Sequence, residues 1–240
     1  SGKKVIDLSA DFRIRSPEIY QSFYDSPHPA PELLKTSQYA LPQLNPLSWD
    51  VSHLLASPGC YPTSIILPLA PLLKEKLIGA DDIIANSMSG VSGAGSNPSE
   101  KLMFCERNEN ACAYGLPKHR HLSEIEEQLS AFQGQQLTLS FHPHLVPINR
   151  GICTTISAPA ADQVKVEDIH ACWNAYYGDR AFVKILENES YPEIKNVART
   201  NGIDIAVHHD SRTNRFTLCS AEDNLVKGAG GQAIQAMNIC

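Results

Sequence analysis

The chain has 240 residues, of which 42% are hydrophobic and 19% are charged, and its formal net charge is −6. This composition is typical of a globular protein long enough for one large core or two smaller domains. The negative charge and the lack of a Lys/Arg block argue against a nucleic-acid partner, and no apolar run reaches the length that spans a membrane.

The first segment predicts a short strand followed by a long irregular stretch. Val5 and Ile6 begin a strand that leaves into an acidic loop ending at Arg13. Residues 16 to 50 are rich in proline and have little hydrophobic periodicity, so we expect them to be mostly irregular. The apolar run from 51 to 56 predicts the next strand.

A turn that contains a cysteine follows this strand. Pro58 and Gly59 favour a tight turn, and Pro62 has the fixed φ of the first turn of a helix. Cys60 therefore lies where the positive end of a helix would stabilise a thiolate. The alternative is a buried and unreactive cysteine, which is the usual state of a free cysteine.

The helix after this turn is predicted from apolar positions that repeat with a helical period between 64 and 77. Pro68 and Pro71 lie inside it and are expected to kink the helix or to delay its start. Gly79 is expected to close it.

Residues 82 to 88 predict another strand, which opens into the glycine-rich run 89–95. Its glycines are Gly90, Gly93 and Gly95. This spacing indicates backbone that approaches another group closely, plausibly a ligand. A mobile surface loop is the alternative.

Two histidines precede the next predicted helix. His119 and His121 flank an arginine, and Ser123 with Glu126 has the spacing of a capping box. The helical stripe that follows is stopped by Gly134.

A second histidine pair, His142 and His144, lies between predicted strands at 137–141 and 152–156. Neither pair has a local cysteine or carboxylate at the spacing of a zinc site, so we expect no metal. Loop hydrogen bonding is the simpler interpretation of the second pair.

The last third of the chain predicts a helix that ends at Gly178, followed by three strands at 182–186, 203–209 and 215–220. A terminal helix is predicted from about 225 to 237, capped by Asp223 or Asn224. This pattern indicates an α+β fold with a mostly antiparallel or mixed sheet covered by helices on one side. Gly228–Ala233 matches Gly-x-Gly-x-x-Ala, but too little chain follows it to form a dinucleotide-binding unit.

One activated cysteine with histidines elsewhere in the chain is typical of a covalent thiol enzyme. The seven cysteines are odd in number and lack a Cys-x-x-Cys pair, which favours a reduced, cytoplasmic protein. Six ordered motifs resemble the N-acetyl-γ-glutamyl-phosphate reductases of arginine biosynthesis, relatives of aspartate-semialdehyde dehydrogenase. These motifs are Asp7–Arg13, Ser57–Thr63, Ser89–Gly95, His119–His121 with Glu124, Pro143–Pro147 with Arg150 and Gly151, and Glu222–Gly228.

The resemblance implies the C-terminal-domain fold of glyceraldehyde-3-phosphate dehydrogenase, with only a remnant of a Rossmann domain. It implies NADPH-dependent reduction of N-acetyl-glutamyl 5-phosphate to the 5-semialdehyde, with release of inorganic phosphate. Cys60 would form a thioester, and His121 would be the acid/base, oriented by Glu124. His119 would then help to bind the substrate.

The resemblance also implies binding residues. Arg13, Ser9 and Arg150 would bind the substrate. The nicotinamide half of the cofactor would face Ser89, Gly90, Gly93, Gly95 and Asn224. Ser96 departs from the family, which usually has an arginine there.

We expect three segments: residues 1–56 as the remnant of a dinucleotide-binding domain, 57–222 as the catalytic and dimerisation domain, and 223–240 as a helix returning to the cofactor domain. The sequence shows no glycine-rich Rossmann fingerprint, so we expect a portion of a longer enzyme. By itself it should be inactive as a reductase and bind NADPH no tighter than about millimolar.

Two alternatives stay open. A sibling reductase of the lysine or aspartate pathway would share this chemistry and use another acyl phosphate. A catalytically silent oligomerisation fragment is the other alternative. For an active enzyme, the resemblance implies a homodimer or homotetramer.

Overall fold

A computed structural model describes residues 2–95, 97–187 and 189–240. Its strands are β1 (Val5–Asp7), β2 (Gln38–Tyr39), β3 (Leu54–Ala56), β4 (Ile84–Ser89), β5 (Cys112–Ala113), β6 (Ser140–Leu145), β7 (Ile152–Pro159), β8 (Val183–Ile185), β9 (Ile203–Asp210) and β10 (Arg215–Glu222). The first three form a small parallel sheet in the order β1-β3-β2. The others form a seven-stranded sheet in the order β5-β6-β4-β7-β10-β9-β8.

The α-helices are α1 (Pro17–Tyr24), α2 (Cys60–Lys74), α3 (Phe104–Arg107), α4 (Arg120–Gln133), α5 (Val166–Tyr177), α6 (Ile194–Val197) and α7 (Gly231–Ile239). Helix α2 packs on β7 and β10 and against α4 and α5, so these helices share one face of the large sheet. The β4–β6 and β8–β9 pairs are parallel and the other pairs of this sheet are antiparallel. The predicted α+β fold with a mixed sheet is therefore confirmed. Within the described residues, no helix is both long and apolar enough to cross a bilayer.

The segment from 16 to 50 is more regular than the sequence predicted. It contains α1 and a 3₁₀ helix at Pro31–Lys35. The hydroxyl of Ser16 accepts from the N–H of Ile19 and caps α1, and Pro17 occupies its first turn. A capping serine followed by proline is the signal that could have found this helix.

Helix α2 begins at Cys60 itself, four residues before its predicted start, and ends at Lys74. The expectations that proline would delay its start and that Gly79 would close it were wrong. Gly59 is the N-cap, with a φ of −68° and a ψ of 159°.

Both prolines inside α2 are tolerated because other side chains replace the hydrogen bonds that they remove. A proline has no N–H, so it leaves the carbonyl four residues earlier without its helical donor. For Pro68 that carbonyl belongs to Ser64, which accepts from the hydroxyl of Ser220 at 2.7 Å. For Pro71 it belongs to Leu67, which accepts from the hydroxyl of Tyr177 at 2.7 Å.

Two predictions around α4 and β6 are corrected. Ser123 and Glu126 form no capping box, because α4 already begins at Arg120 and its N-cap is His119. The C-terminal stop at Gly134, which has a φ of 83°, is confirmed.

The second histidine pair lies within strand β6, where a loop was predicted. The Nδ1 of His142 contacts Oδ1 of Asn86 at 3.0 Å, and Nδ1 of His144 contacts the carbonyl of His142 at 3.1 Å. Strand β6 pairs with β4 on one side and β5 on the other, and this pairing overrides the irregular pattern of the sequence.

The strands predicted at 203–209 and 215–220 are confirmed, and they pair antiparallel as β9 and β10. The terminal helix differs from its predicted form. A π-helix runs over Val226–Gly230, and α7 starts only at Gly231. The carboxylate of Asp223 accepts from the N–H groups of Leu225 and Val226, so Asp223 is the capping residue of this segment.

The proline-dependent bonds of α2 predict unequal effects of two neighbouring tyrosines. Tyr177→Phe leaves the carbonyl of Leu67 unpaired in the core and should lower the free energy of unfolding by about 1–3 kcal/mol. Tyr176→Phe is the matched control, because its hydroxyl contacts the exposed carboxylate of Glu75, and should cost less than about 0.5 kcal/mol. Urea unfolding measures both, and equal losses would contradict this account of the prolines.

Candidate active site

Cys60 occupies the first helical position of α2, directly after the loop that follows β3. It is half-buried and contributes to a cavity of about 480 Å³. The backbone N–H of Tyr61 acts to lower the pKa of its thiol. As the sequence predicted, a helix N-terminus faces a cysteine at the floor of a cavity.

The charge state of Cys60 differs from the prediction. Burial raises the pKa of its thiol to about 12, a negative charge on Glu222 would raise it further, and the Tyr61 N–H and Arg13 only partly offset the shift. The expected stabilised thiolate is therefore wrong for the resting site, because a helix terminus contributes only about 0.3–1 kcal/mol and burial outweighs it. Cys60 rests as a neutral thiol.

Gly59 lets two other groups come close to the nucleophile. A Cβ at this position would lie 2.7 Å from Nε2 of His121 and 2.9 Å from Nη1 of Arg13. Both distances are too short for any side chain. The glycine of the turn is therefore required by the close approach of His121 and Arg13, in addition to its role in the turn.

Glu124 holds this turn in place. It is 1% exposed, and its Oε1 accepts from the backbone N–H of Gly59 at 2.9 Å and from the hydroxyl of Tyr39 at 2.7 Å. Its Oε2 pairs with Nη1 of Arg13 at 3.4 Å. The predicted contact between Glu124 and His121 is wrong, because the carboxylate turns to the Cys60 loop. Nδ1 of His121 has no hydrogen-bond partner within the described part of the chain.

The two histidines of the motif are neutral in the resting site. Burial lowers the pKa of His121 well below its usual range, and His119 and Arg13 add to the shift. Burial and then Arg120 lower the pKa of His119 to about 4. The Nδ1 of His119 accepts from the backbone N–H of His121, which leaves Nε2 as its protonated nitrogen. A neutral His121 is able to accept a proton.

Cations and tyrosines line the cavity and were missed as site residues in the sequence. Lys101, Arg107 and Arg120 supply positive charge, and the hydroxyls of Tyr61 and Tyr114 are 2.8 Å apart. Arg120 had a visible signal, since it lies inside the histidine motif. Lys101 and Arg107 had none, because only the fold brings the 3₁₀ helix at Glu100–Leu102 and helix α3 to the cavity of Cys60. This charge suits an anionic ligand.

The three predicted substrate residues, Arg13, Ser9 and Arg150, are held by other contacts. Arg13 is buried under Gly59 and donates to the carbonyl of Leu8, besides pairing with Glu124. Ser9 is exposed and donates to the carboxylate of Asp7. Arg150 pairs with Asp223 at 3.2 Å. None of these three residues is among the described residues that line the cavity of Cys60.

The predicted cofactor residues form one connected loop. Asn224 accepts from the N–H of Gly151 at 2.6 Å and donates to the hydroxyl of Ser92 at 3.0 Å. A Cβ at Gly93 would lie 2.8 Å from Oγ of Ser89 and 3.4 Å from Nδ2 of Asn224. Ser89 and Gly93 line the cavity of Cys60.

The two other predicted cofactor glycines have different environments. A Cβ at Gly90 would collide with the backbone of Asn149, so Gly90 serves close backbone packing. Gly95 has a φ of 85° and open space around it. Ser96 lies outside the described residues.

Comparison with known proteins decides the family. The family model described as semialdehyde dehydrogenase, dimerisation domain, matches residues 60–224. The N-acetyl-gamma-glutamyl-phosphate reductase of Akkermansia muciniphila is 49% identical over 238 residues, which cover 99% of this chain and 69% of that protein. The reductase of Caldicellulosiruptor bescii has the same identity and coverage. The chain belongs to the N-acetyl-gamma-glutamyl-phosphate reductase family.

Solved structures show the same fold at low sequence identity. Aspartate semialdehyde dehydrogenase II from Vibrio cholerae superposes with a TM-score of 0.71 at 15% identity, over 98% of this chain and 71% of that chain. Aspartate semialdehyde dehydrogenase from Francisella tularensis superposes with a TM-score of 0.68 at 16% identity, over 85% of this chain and 71% of that chain. This reductase family therefore shares its architecture with aspartate semialdehyde dehydrogenases.

Proposed function

We propose that the chain carries the acyl-transfer and reduction site of an NADPH-dependent enzyme of arginine biosynthesis. Its substrate would be N-acetyl-glutamyl 5-phosphate and its products the 5-semialdehyde and inorganic phosphate. The observation that carries this proposal is Cys60 at a helix start, in one cavity with neutral His121 and three cations. The names of the relatives supply the substrate.

The first half of the proposed reaction is formation of a thioester. Lys101, Arg107 and Arg120 attract the anionic groups of the substrate to the cavity. His121 takes the proton of the Cys60 thiol, the sulfur attacks the acyl carbon, and the C–O bond to phosphate breaks. The negative charge that develops on the acyl oxygen is stabilised by N–H groups at the start of α2, which have no partner within the helix.

The second half reduces this thioester. Ser89, Gly93 and Asn224 would hold the nicotinamide side of NADPH, which supplies a hydride to the acyl carbon when bound. The C–S bond then breaks, the aldehyde leaves, and His121 returns its proton to the sulfur of Cys60. His119 supports this step by fixing the first turn of α4 and by lining the substrate cavity.

Glu124 is a positioning residue in this proposal. It orients the N–H of Gly59 and the guanidinium of Arg13 and so sets the start of α2. Arg13, Ser9 and Arg150 would bind the substrate, as the family resemblance implies, although none of them lines the cavity.

Two alternatives are less well supported. A reductase of the lysine or aspartate pathway would have the same thiol chemistry, but the curated relatives are named for N-acetyl-gamma-glutamyl phosphate. A catalytically silent fragment would have no need for Cys60, His119 and His121 in one cavity. The same proposal places the enzyme in the cytoplasm, because all seven cysteines are free thiols, as is usual in a reducing compartment.

Thioester formation is testable without cofactor. The chain mixed with N-acetyl-glutamyl 5-phosphate should release one equivalent of phosphate and gain one N-acetyl-glutamyl group on Cys60, as read by peptide mass spectrometry. Cys60→Ser should slow this step by at least about a thousandfold, because a hydroxyl is a far weaker nucleophile. Cys105→Ser, an exposed thiol, is the matched control. Faster acylation by aspartyl phosphate would favour the sibling reductase, and no acylation by either would refute the proposed chemistry.

We propose that the chain divides into three parts. Residues 1–56, with the small parallel sheet, belong to a dinucleotide-binding domain, and residues 223–240 return to that domain. The catalytic and dimerisation domain would then be residues 57–222.

Cofactor binding by these 240 residues should therefore be weak. Contacts to the nicotinamide side alone rarely offset the entropy that NADPH loses when it binds. Fluorescence titration should give an NADPH dissociation constant of about millimolar or weaker, and no reductase activity. Micromolar affinity would contradict this division of the chain.

The uncovered face of the large sheet is proposed as the contact between copies of the chain. The helices cover one face, and the other carries side chains such as Asn86, Met88 and Thr155, which are exposed. A homodimer or homotetramer would bury them, in agreement with the dimerisation domain that the family model describes.

A charge in the middle of this face should separate the copies. Thr155→Arg lies on the central strand β7 and would place an unpaired cation in the contact, which should turn the oligomer into a monomer. Ser211→Arg, in the exposed β9–β10 turn, is the matched control and should leave the mass unchanged. Light scattering coupled to size exclusion measures both, and an unchanged mass for Thr155→Arg would show that another surface forms the oligomer.

A further inference from the structure

A carboxyl group that the reaction above does not use lies beside the nucleophile. Glu222 ends strand β10 and is fully buried. Neither of its carboxyl oxygens has a hydrogen-bond partner among the described residues. Because buried polar groups are almost always paired, this carboxyl group requires a physical explanation.

Gly228 shows how close Glu222 is to the nucleophile. A Cβ at this glycine would lie 2.5 Å from Cβ of Cys60 and 3.0 Å from Oε1 of Glu222. The carboxyl group and the Cys60 side chain thus touch the same small space, and the missing side chain of Gly228 leaves it open.

The surroundings of Glu222 favour its neutral form. The nearest cation, Lys227, is also fully buried, but its ammonium group donates to Oε1 of Gln235 at 3.2 Å and forms no ion pair with Glu222. Burial lowers the pKa of Lys227 to about 7, which weakens its charge near neutral pH. Burial raises the pKa of Glu222 well above its usual range. Lys227 lowers this pKa in part, and Asp223 raises it again.

The position of this acid across the open space at Gly228 from the Cys60 side chain suggests what it does. We propose that Glu222 is kept as a neutral carboxylic acid and donates a hydrogen bond to Sγ of Cys60 whenever the sulfur is negatively charged. This inference rests on the proposed role of Cys60 as the nucleophile. The sulfur is negative before it attacks the acyl carbon and again when the C–S bond breaks. The proton of Glu222 stays on its oxygen throughout, while the thiol proton moves to His121 and back.

Other titratable groups also face this pair and must be kept constant in any test. They come from each element packed around the site: Arg13 of the N-terminal loop, Tyr61 of α2, Tyr114 after β5, His119, His121 and Glu124 at the start of α4, and Asp223 and Lys227 after β10. Variants at Glu222 leave all of them in place.

The test is the rate at which iodoacetamide alkylates Cys60 across alkaline pH, followed on the Cys60 peptide by mass spectrometry. Glu222→Leu removes the donor, so the pKa of Cys60 should rise by about one unit and alkylation at a fixed pH should slow about tenfold. Glu222→Gln keeps an N–H donor and should change the rate by less than about threefold. Asp204→Asn is the control, because Asp204 is another buried carboxyl group, lying on β9 near Lys184, and should leave the rate unchanged.

The opposite charge state predicts the opposite sign. If Glu222 were an anion, both variants would remove a repulsive charge and accelerate alkylation, and this result would overturn the proposal. An infrared difference spectrum between the chain and Glu222→Gln decides the same question even if Glu222→Leu does not fold. A protonated carboxyl band at neutral pH supports the proposal, and carboxylate bands contradict it.

These measurements need neither substrate nor cofactor, so they separate this inference from the proposed reaction. Slowed alkylation in Glu222→Leu together with failure of acyl transfer would refute the reaction and leave the role of Glu222 intact.

Discussion

The carboxylate of Glu124 is the contact on which the geometry of the site depends. It joins four parts of the chain that are distant in sequence: the N-terminal loop through Arg13, strand β2 through Tyr39, the turn before Cys60 through Gly59, and α4, to which Glu124 itself belongs. Because these bonds are buried, they are shielded from water and from salt. The start of α2 is therefore fixed by a side chain from another helix and not by the local turn alone.

A second constraint is the balance of charge around the sulfur. Four groups around Cys60 have their pKa moved by burial toward the uncharged form: a thiol, two imidazoles and the carboxyl group of Glu222. The buried charges beside them, Arg13 and Glu124, compensate each other as an ion pair. In the proposed reaction, negative charge on the sulfur arises only when the thiol loses its proton.

Local patterns in the sequence predicted much of the fold. The alternation in β7, β9 and β10 and the glycines that end α4 and α5 are signals within a few residues, and they were sufficient. The Cys60 turn was found in the same way. The sequence could not show that Glu124 bonds to Gly59, 65 positions away, or that burial would protonate Cys60. The Glu124–Gly59 bond and the protonation of Cys60 both depend on which distant elements cover the site. Local helix and strand propensities carry no information about such long-range packing.

The prolines of α2 have a consequence for how the protein folds. Two carbonyls in this helix find their donors only in Tyr177 of α5 and Ser220 of β10, which are 110 and 156 positions further along the chain. A helix with such gaps gains little from forming early and alone, since two of its backbone acceptors would stay solvated until α5 and β10 arrive. Formation of α2 therefore requires that the long segments up to α5 and β10 close onto it. For this reason α2 and the large sheet should form together. During synthesis, Ser220 must therefore leave the ribosome before every carbonyl of the helix that begins at Cys60 has its donor.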